Sequence, residues 1–243
     1  MTDARLPSSA RVVLTVVAKL PSEHDSKTRL SPALDGAQRR ALAEAMFLDK
    51  IDQARSIEGA ELAVAYAPSH ARASFEALVT EPVVWIDQGE GSLGDRLART
   101  SEALFAAGYS AVILIGADSP TLPVTRLRTA VRALSAPRAA VDASEFVVGP
   151  AEDGGYYLLG MRRFERALFT AIDWSTERVF SQTMTALRSH GARPYLLEPW
   201  FDVDLPADLL RLRVALERDA SLAPRTAALI AQWALPTPEP RLQ

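Results

Sequence analysis

The sequence predicts an α/β fold with a mainly parallel sheet, and three observations predict it. First, short aliphatic and β-branched runs recur along the chain, at 11–18 (RVVLTVVA), 61–66, 82–86, 111–116 (AVILIG), 146–149, 155–160 and 193–197. The most apolar of them, 11–18 and 111–116, lack polar alternation, the pattern of strands buried on both faces. Second, helix-length stretches separate most of these runs, and alternation of strand and helix implies right-handed crossovers between parallel neighbours. Third, hydrophobic residues make up 48% of the chain but aromatics only 7%, with the apolar weight in Ala, Leu and Val. That mix suits helices packed on a sheet.

The elements follow in order. After the strand at 11–18 comes a polar loop through Asp35. Asp35 and Gln38 have the spacing of a capping box and open a helix running to about Ile57. Strands at 61–66 and 82–86 flank a second helix. Gly89, Gly91 and Gly94 form a flexible loop before a helix at 94–107. The strand at 111–116 leads into Asp118-Ser119-Pro120, and a helix begins near Pro123. The strands at 146–149 and 155–160 are joined by a turn at Ala151-Glu152-Asp153-Gly154. A helix is expected from Ser175, a strand at 193–197, and a terminal helical region opening at Pro206. The segment from Pro236 carries three prolines in five residues and is expected to fray. With no repeat, low-complexity tract or linker in 243 residues, one domain over 1–243 is the economical organisation.

Composition excludes several classes. A net charge of −3 offers no broad basic field, so no nucleic-acid partner is expected. There are no cysteines, hence no disulfide, thiolate nucleophile or zinc–thiolate site. No leader-like pattern opens the chain, and no apolar run approaches the roughly 18 residues that span a bilayer. A cytoplasmic protein without a membrane partner is expected. Nothing in the pattern fixes an oligomeric state.

Four polar segments follow buried strands. The first, Lys19 to Leu30, contains Lys19, Lys27, Thr28 and Arg29. The chain has 27 basic residues but only three lysines, Lys19, Lys27 and Lys50, and two of them lie in this loop. Compact ammonium charges, an Arg fork and hydroxyls there suit a di- or triphosphate, although a solvated surface loop has the same composition. The Gly-x-x-x-x-Gly-Lys-Ser/Thr pattern of a P-loop is absent. The second is Gly116-Ala117-Asp118-Ser119-Pro120. A carboxylate just past the most apolar strand is costly unless paired or bound to a cation, and a hard divalent ion favours such oxygen ligands; a helix cap before Pro123 is the alternative. The third, Glu152-Asp153-Gly154-Gly155-Tyr156-Tyr157, presents adjacent acids on a tight turn, as base, ligand or hydroxyl-binding pair, or simply as a hairpin turn. Of the two tyrosines, one is expected in the core and the other toward the site. The fourth, Asp202-Val203-Asp204, puts two carboxylates on one side of an extended segment, with Asp204 also placed to cap the helix at Pro206. The segment Trp174-Ser175-Thr176 has the form of a helix N-cap beside a buried Trp.

In fixed order, AKLP…KTRL, GSLGDR, GADSPTL, GPAEDGGYYLLG, WST and FDVDLPADL resemble the bacterial radical-SAM/selenodomain-associated transferases, a glycosyltransferase-A-like family, over about residues 11–212. KTRL, DSPTL and DVDLPADL are more distantly similar to 2-phospholactate guanylyltransferase and the molybdenum-cofactor nucleotidyltransferases. The resemblance implies the nucleotide-diphospho-sugar transferase fold, a Rossmann-like three-layer sandwich, with Mg²⁺ or Mn²⁺ as cofactor. It implies donor phosphates on Lys19, Lys27, Thr28 and Arg29, and base or ribose beside Gly89, Gly94 and Arg96. It places the metal on Asp118 with Asp202 or Asp204, and the acceptor along Glu152, Asp153, Gly154, Gly155 and Tyr156. His24 stands where the family loop has Gly, and 135–145 is slightly longer than usual.

Two reactions suit such a site. A nucleoside triphosphate could pass its nucleotidyl group to a small phosphorylated or sugar acceptor, with Lys27 and Arg29 stabilising the leaving pyrophosphate. Alternatively, a nucleotide sugar could pass its sugar to a small acceptor, with Asp153 as base. The three cations of the first loop favour a triphosphate, and the family's usual name favours glycosyl transfer. A nucleotide-binding module without turnover is a third class, and the retained acids count against it.

Overall fold

The structure is a computed structural model and describes residues 11–22, 24–137, 140 and 143–233. The proline-rich segment at 236–243 lies outside the described residues, as does part of 135–145.

A seven-stranded sheet organises the chain, in the order β3-β2-β1-β4-β6-β5-β7. The strands are β1 (Val12–Lys19), β2 (Ala60–Ala67), β3 (Val84–Asp87), β4 (Ala111–Gly116), β5 (Phe146–Pro150), β6 (Tyr156–Met161) and β7 (Tyr195–Leu196). All run parallel except β6, which pairs antiparallel with β4 and β5. The helices are α1 (Gly36–Arg55), α2 (Arg72–Leu78), α3 (Leu93–Ala106), α4 (Val124–Ser135), α5 (Val179–Ser189), α6 (Pro206–Arg218) and α7 (Pro224–Ile230).

Successive strand residues point to opposite faces, so β1 divides its side chains between two cores. Val12, Leu14 and Val16 pack with Phe47 and Ile51 of α1, Phe75 of α2 and Leu127 of α4. Val13 joins Leu97 and Leu104 of α3 and Met184 and Leu187 of α5 on the other face. The result is a three-layer sandwich with both sheet faces covered, as the apolar strand runs require. α1 is buried on a second side as well: Leu42 and Met46 meet Leu209, Leu212 and Leu216 of α6 and Ile230 of α7.

The capping box at the start of α1 is present, with Asp35 accepting from the Gln38 backbone. Elsewhere the chain departs from expectation. The helix expected from Ser175 begins at Val179, because Ser175 adopts a left-handed φ of 63° and cannot start a right-handed helix. Residues 174–178 instead form a turn seated on the β5–β6 hairpin, where Phe180 N–H donates to the Gly154 carbonyl at 2.8 Å. The strand expected at 193–197 shrinks to the two residues of β7.

The loop after β1 and the turn after β4 emerge side by side at the carboxyl ends of adjacent parallel strands. In sheets of this kind that edge is where ligands bind.

Candidate active site

A cleft of about 920 Å³ opens over the carboxyl ends of β1 and β4. Leu30, fully buried against α6, anchors one end of the β1 loop. Lys27 sits just before it, in a left-handed conformation with φ 47° and ψ 42°, at the head of a short 3₁₀ turn at Thr28–Leu30. This turns its side chain inward, where it is only 7% exposed. The ammonium lies 2.5 Å from Asp118 Oδ1 and 3.0 Å from Asp204 Oδ1. Burial opposes its charge, but the two carboxylates outweigh burial and hold its pKa above the ordinary lysine value.

Asp204 reaches Lys27 because it does not cap α6, contrary to one sequence expectation. Pro206 occupies the first helical turn and the N-cap position falls on Leu205. The Asp208 carboxylate accepts from the backbone N–H of both Asp204, at 3.1 Å, and Leu205, at 2.7 Å. The Asp204 side chain is thereby released toward the cleft. Asp118 does not cap a helix either, since α4 begins without a side-chain cap.

The Asp118 and Asp202 segments are tied together. Val203 N–H donates to the Asp118 carbonyl at 2.9 Å, and the Ser119 hydroxyl donates to the Asp202 carboxylate. Burial pushes the Asp202 carboxyl up to about 7. The charges of Asp118, Asp153 and Asp204 add to the rise, and the Ser119 hydrogen bond opposes it.

Beneath this turn lies a residue to which the sequence reading gave no role. Lys50 of α1 is fully buried and donates to the Ser119 carbonyl and to Gln53 Oε1, both at 2.8 Å. Burial lowers its pKa to about 7 against the raising influence of Asp202, Asp118 and Asp49. Gln53 in turn donates its amide to the Pro120 carbonyl and, at 2.7 Å, to that of Leu222. The turn after β4 therefore rests on a polar pillar from α1. Its one sequence signal was the scarcity of lysine.

On the β1–β3 side, Lys19, Thr28, Arg29 and Arg96 all line the cleft. Lys19 is largely exposed and stands 3.7 Å from Asp25. Arg96 donates to Gln88 Oε1 at 3.3 Å. Gln88, also missed from sequence, is buried and gives its amide to the carbonyls of Ala18 at 3.0 Å and Ala65 at 2.7 Å. It locks the ends of β1 and β2 together and positions Arg96. Gly89 and Gly94 shape the wall without lining it. Gly89 has a φ of +67°, and a Cβ on Gly94 would stand 2.4 Å from both the Phe169 carbonyl oxygen and Trp174 Nε1.

On the opposite side, Asp153, Gly155 and Tyr156 line the cleft together with Trp174, Ser175, Thr176 and Glu177. Tyr157 of the same strand is buried and donates to the Glu198 carbonyl at 3.0 Å. Glu152 departs from its expected acceptor-side place. Its carboxylate is held by both terminal nitrogens of Arg211, one of them at 2.8 Å, and it does not line the cleft. Gly154 is structural: its φ is +91°, and a Cβ there would lie 2.2 Å from the Glu177 carbonyl oxygen.

Among the described residues no group of three potential metal ligands stands together. The donor chemistry nevertheless fits a hard divalent cation. Asp118, Asp202 and Asp204 offer only oxygen, and burial, with the neighbouring carboxylates, makes a negative charge on Asp202 costly, a cost that a cation would relieve. One or two carboxylates suffice for Mg²⁺ when substrate phosphates complete its shell.

Residues 50–176, a little over half of the chain, match the family described as "Uncharacterized protein conserved in bacteria (DUF2064)". The chain belongs to this family. No curated protein matches it. Among solved structures, it is similar to a protein of Desulfovibrio desulfuricans G20 assigned to the nucleotide-diphospho-sugar transferases. The identity is 25% and the TM-score 0.80, over 92% of this chain and 98% of the other. It shares its fold with CMP:2-keto-3-deoxy-manno-octonic acid synthetase complexed with CTP, at 14% identity and TM-score 0.55, over 86% and 100% of the two chains. A nucleotidyl transferase of Methanothermobacter is similar at 14% identity and TM-score 0.54, over 86% and 98%. The DUF2064 chain thus has the fold of nucleotide-diphospho-sugar transferases, a nucleotide-dependent transferase architecture. No helix among the described residues is long and apolar enough to cross a membrane.

Proposed function

We propose that this DUF2064 protein is a metal-dependent nucleotidylyltransferase that moves a nucleotidyl group from a nucleoside triphosphate to a small acceptor and releases pyrophosphate. The observation that carries the reading is the division of charge across the cleft. Lys19, Lys27, Arg29 and Arg96 face it from the β1–β3 side, and Asp118, Asp202 and Asp204 meet them at its floor.

Lys27 and Arg29 would hold the β- and γ-phosphates, Lys27 as a point charge and Arg29 as a fork. Lys19 and Thr28 would complete the phosphate loop, and Arg96 would face the base or ribose. Asp118, with Asp202 or Asp204, would hold Mg²⁺ or Mn²⁺, which when bound would neutralise charge on the donor phosphates. An acceptor oxygen would bond to the α-phosphorus as the bond to the bridging oxygen breaks. Pyrophosphate would leave with that electron pair, and the acceptor's proton would pass to Asp153. Lys27 and Arg29 act where charge develops on the leaving group, which is where fixed charges accelerate a reaction.

Glycosyl transfer from a nucleotide sugar is the second reading, favoured by the assignment of the Desulfovibrio protein. Incubation with labelled nucleoside triphosphates, nucleotide sugars and candidate acceptors in Mg²⁺ or Mn²⁺ separates the two. Pyrophosphate is the product expected here, whereas free nucleoside diphosphate from a nucleotide sugar would transfer the assignment to glycosyl transfer. Asp118→Ala with undiminished metal-supported turnover would remove Asp118 from the metal site under either reading.

A further inference from the structure

The two halves of the cleft differ in charge. Among the described lining residues, every cation (Lys19, Lys27, Arg29 and Arg96) lies before β4 in the chain. The arc from Asp153 to Val179 contributes Asp153 and Glu177 but no Lys, Arg or His. The nearby cations are engaged elsewhere: Arg211 is held by Glu152, and Arg178 stands 3.1 Å from Asp173.

That acidic arc also holds an aromatic corner. Tyr156 and Trp174 pack edge to face, with centroids 6.3 Å apart and planes at 79°. Trp174 is fixed from behind, since it lies against Gly94 so closely that a Cβ there would meet its indole nitrogen. Tyr156 lines the cleft, and its hydroxyl, which is buried, has no protein hydrogen-bond partner. A buried hydroxyl without a partner is costly, and a polar ligand atom brought within its reach would relieve that cost.

We propose that the acceptor is an uncharged polyhydroxy compound of the sugar or sugar-alcohol class, seated against Trp174 and Tyr156 with its hydroxyls on Asp153, Glu177 and the Tyr156 hydroxyl, and that phosphorylated acceptors are excluded. Carboxylates accept hydrogen bonds from hydroxyls but repel a phosphate in a cleft half without a free cation. Aromatic faces suit the C–H surface of a sugar ring and give a phosphate nothing. The inference rests on the nucleotide-donor reading, which assigns the cationic half to the donor.

The test uses matched pairs, D-glucose with D-glucose 1-phosphate and ribitol with ribitol 5-phosphate. Ligand-observed NMR is recorded with Mg²⁺ and saturating CTP, GTP, UTP or ATP in turn, so that the cationic half is filled. The neutral member of at least one pair is expected to bind at least tenfold more tightly than its phosphate. Tyr156→Phe, which removes only an unpartnered hydroxyl, should weaken neutral binding severalfold while leaving Tm unchanged or raised. Asp153→Asn retains an oxygen for the Gly155 N–H, which it accepts at 2.9 Å. That variant should narrow the gap within each pair. Equal or tighter binding of the phosphorylated member overturns the proposal, as does failure of both members to bind. Thermal shift on the same samples reads nucleotide binding separately. If no nucleotide raises Tm while neutral polyols still bind through Tyr156 and Asp153, the donor reading fails and only the preference of this half of the cleft for neutral polyols stands.

Discussion

Lys27 is a buried ammonium bridging two carboxylates, and its position makes a prediction that a mere surface lysine would not. Lys27→Met leaves Asp118 and Asp204 facing each other without the cation between them. The variant is expected to melt several degrees below wild type without metal. Mg²⁺ should then raise its Tm more than it raises that of wild type, because the ion supplies the missing charge at the same carboxylates. Turnover should fall by about 10²–10³, the effect of deleting one fixed group aimed at developing charge. Equal Mg²⁺ shifts in the two proteins, measured by calorimetry, would place the metal elsewhere. Asp118 was legible in the sequence as a carboxylate just beyond a strand buried on both faces, where only pairing or a ligand tolerates it, and Lys27 as one of two lysines, in a chain with three, that fall in the loop after β1. Asp204 was read ambiguously, since a residue two before Pro206 has the sequence form of a cap, and only the Asp208 hydrogen bonds show that the cap falls on Leu205. Lys50 was opaque because a lysine within a helical pattern normally faces water. That α1 is covered on two sides, by the sheet and by α6 and α7, depends on long-range packing that no local pattern encodes.

The β5–β6 hairpin and the turn at 174–178 act as one element, and Gly154 is their point of contact. Gly154→Ala adds a Cβ at 2.2 Å from the Glu177 carbonyl oxygen, on backbone that is already at positive φ. Gly191→Ala supplies the matched control, because its φ is +69° but nothing lies within 4 Å of the added carbon. The control should lose only the left-handed strain of about 1–2 kcal/mol. Gly154→Ala should lose at least twice as much by denaturant unfolding and, by displacing Trp174 to Glu177, raise the acceptor KM more than the donor KM. Matching losses in the two variants would show that the turn yields freely and does not position the acceptor side. The hairpin was legible as apolar runs separated by Asp-Gly-Gly, and all seven strands fall within two residues of their expected ends. The errors lie where propensity is weakest. The run at 193–197 pairs over only two residues, and the turn at Ser175 replaces a first helical turn because the hairpin claims the backbone of Phe180.

At the scale of the whole molecule, Lys50 links the site to global stability through pH. Its native pKa is lowered by burial to about 7, against an ordinary value of 10.5. Below about pH 7 both folded and unfolded chains carry the proton, and the native state bears the whole cost of the buried ammonium. As pH rises beyond 7 the native amine loses its proton while the unfolded chain keeps one until about 10.5. The unfolded state then binds more protons, so stability rises with pH over that window. At about 1.4 kcal/mol per unit, the step from pH 7 to pH 9 is worth roughly 2 kcal/mol, or on the order of 5 °C in Tm for a chain of this size. Tyr109 and Tyr157 do not interfere, because both are pushed up to about 12 and stay protonated throughout, whereas Asp202, raised to about 7, sheds its remaining native protons at the bottom of the window and offsets part of the rise. Lys50→Met removes the titration along with the hydrogen bonds to Ser119 and Gln53. It should lie close to wild type at pH 7, where a buried charge has little net value, and fall behind as pH rises. Melting curves of the two metal-free proteins at pH 7, 8 and 9 decide the matter. Curves that stay parallel would mean that Lys50 keeps its charge in the fold, and the pillar beneath Ser119 would then be an ammonium held by the site's carboxylates, not a neutral amine held by two carbonyl oxygens.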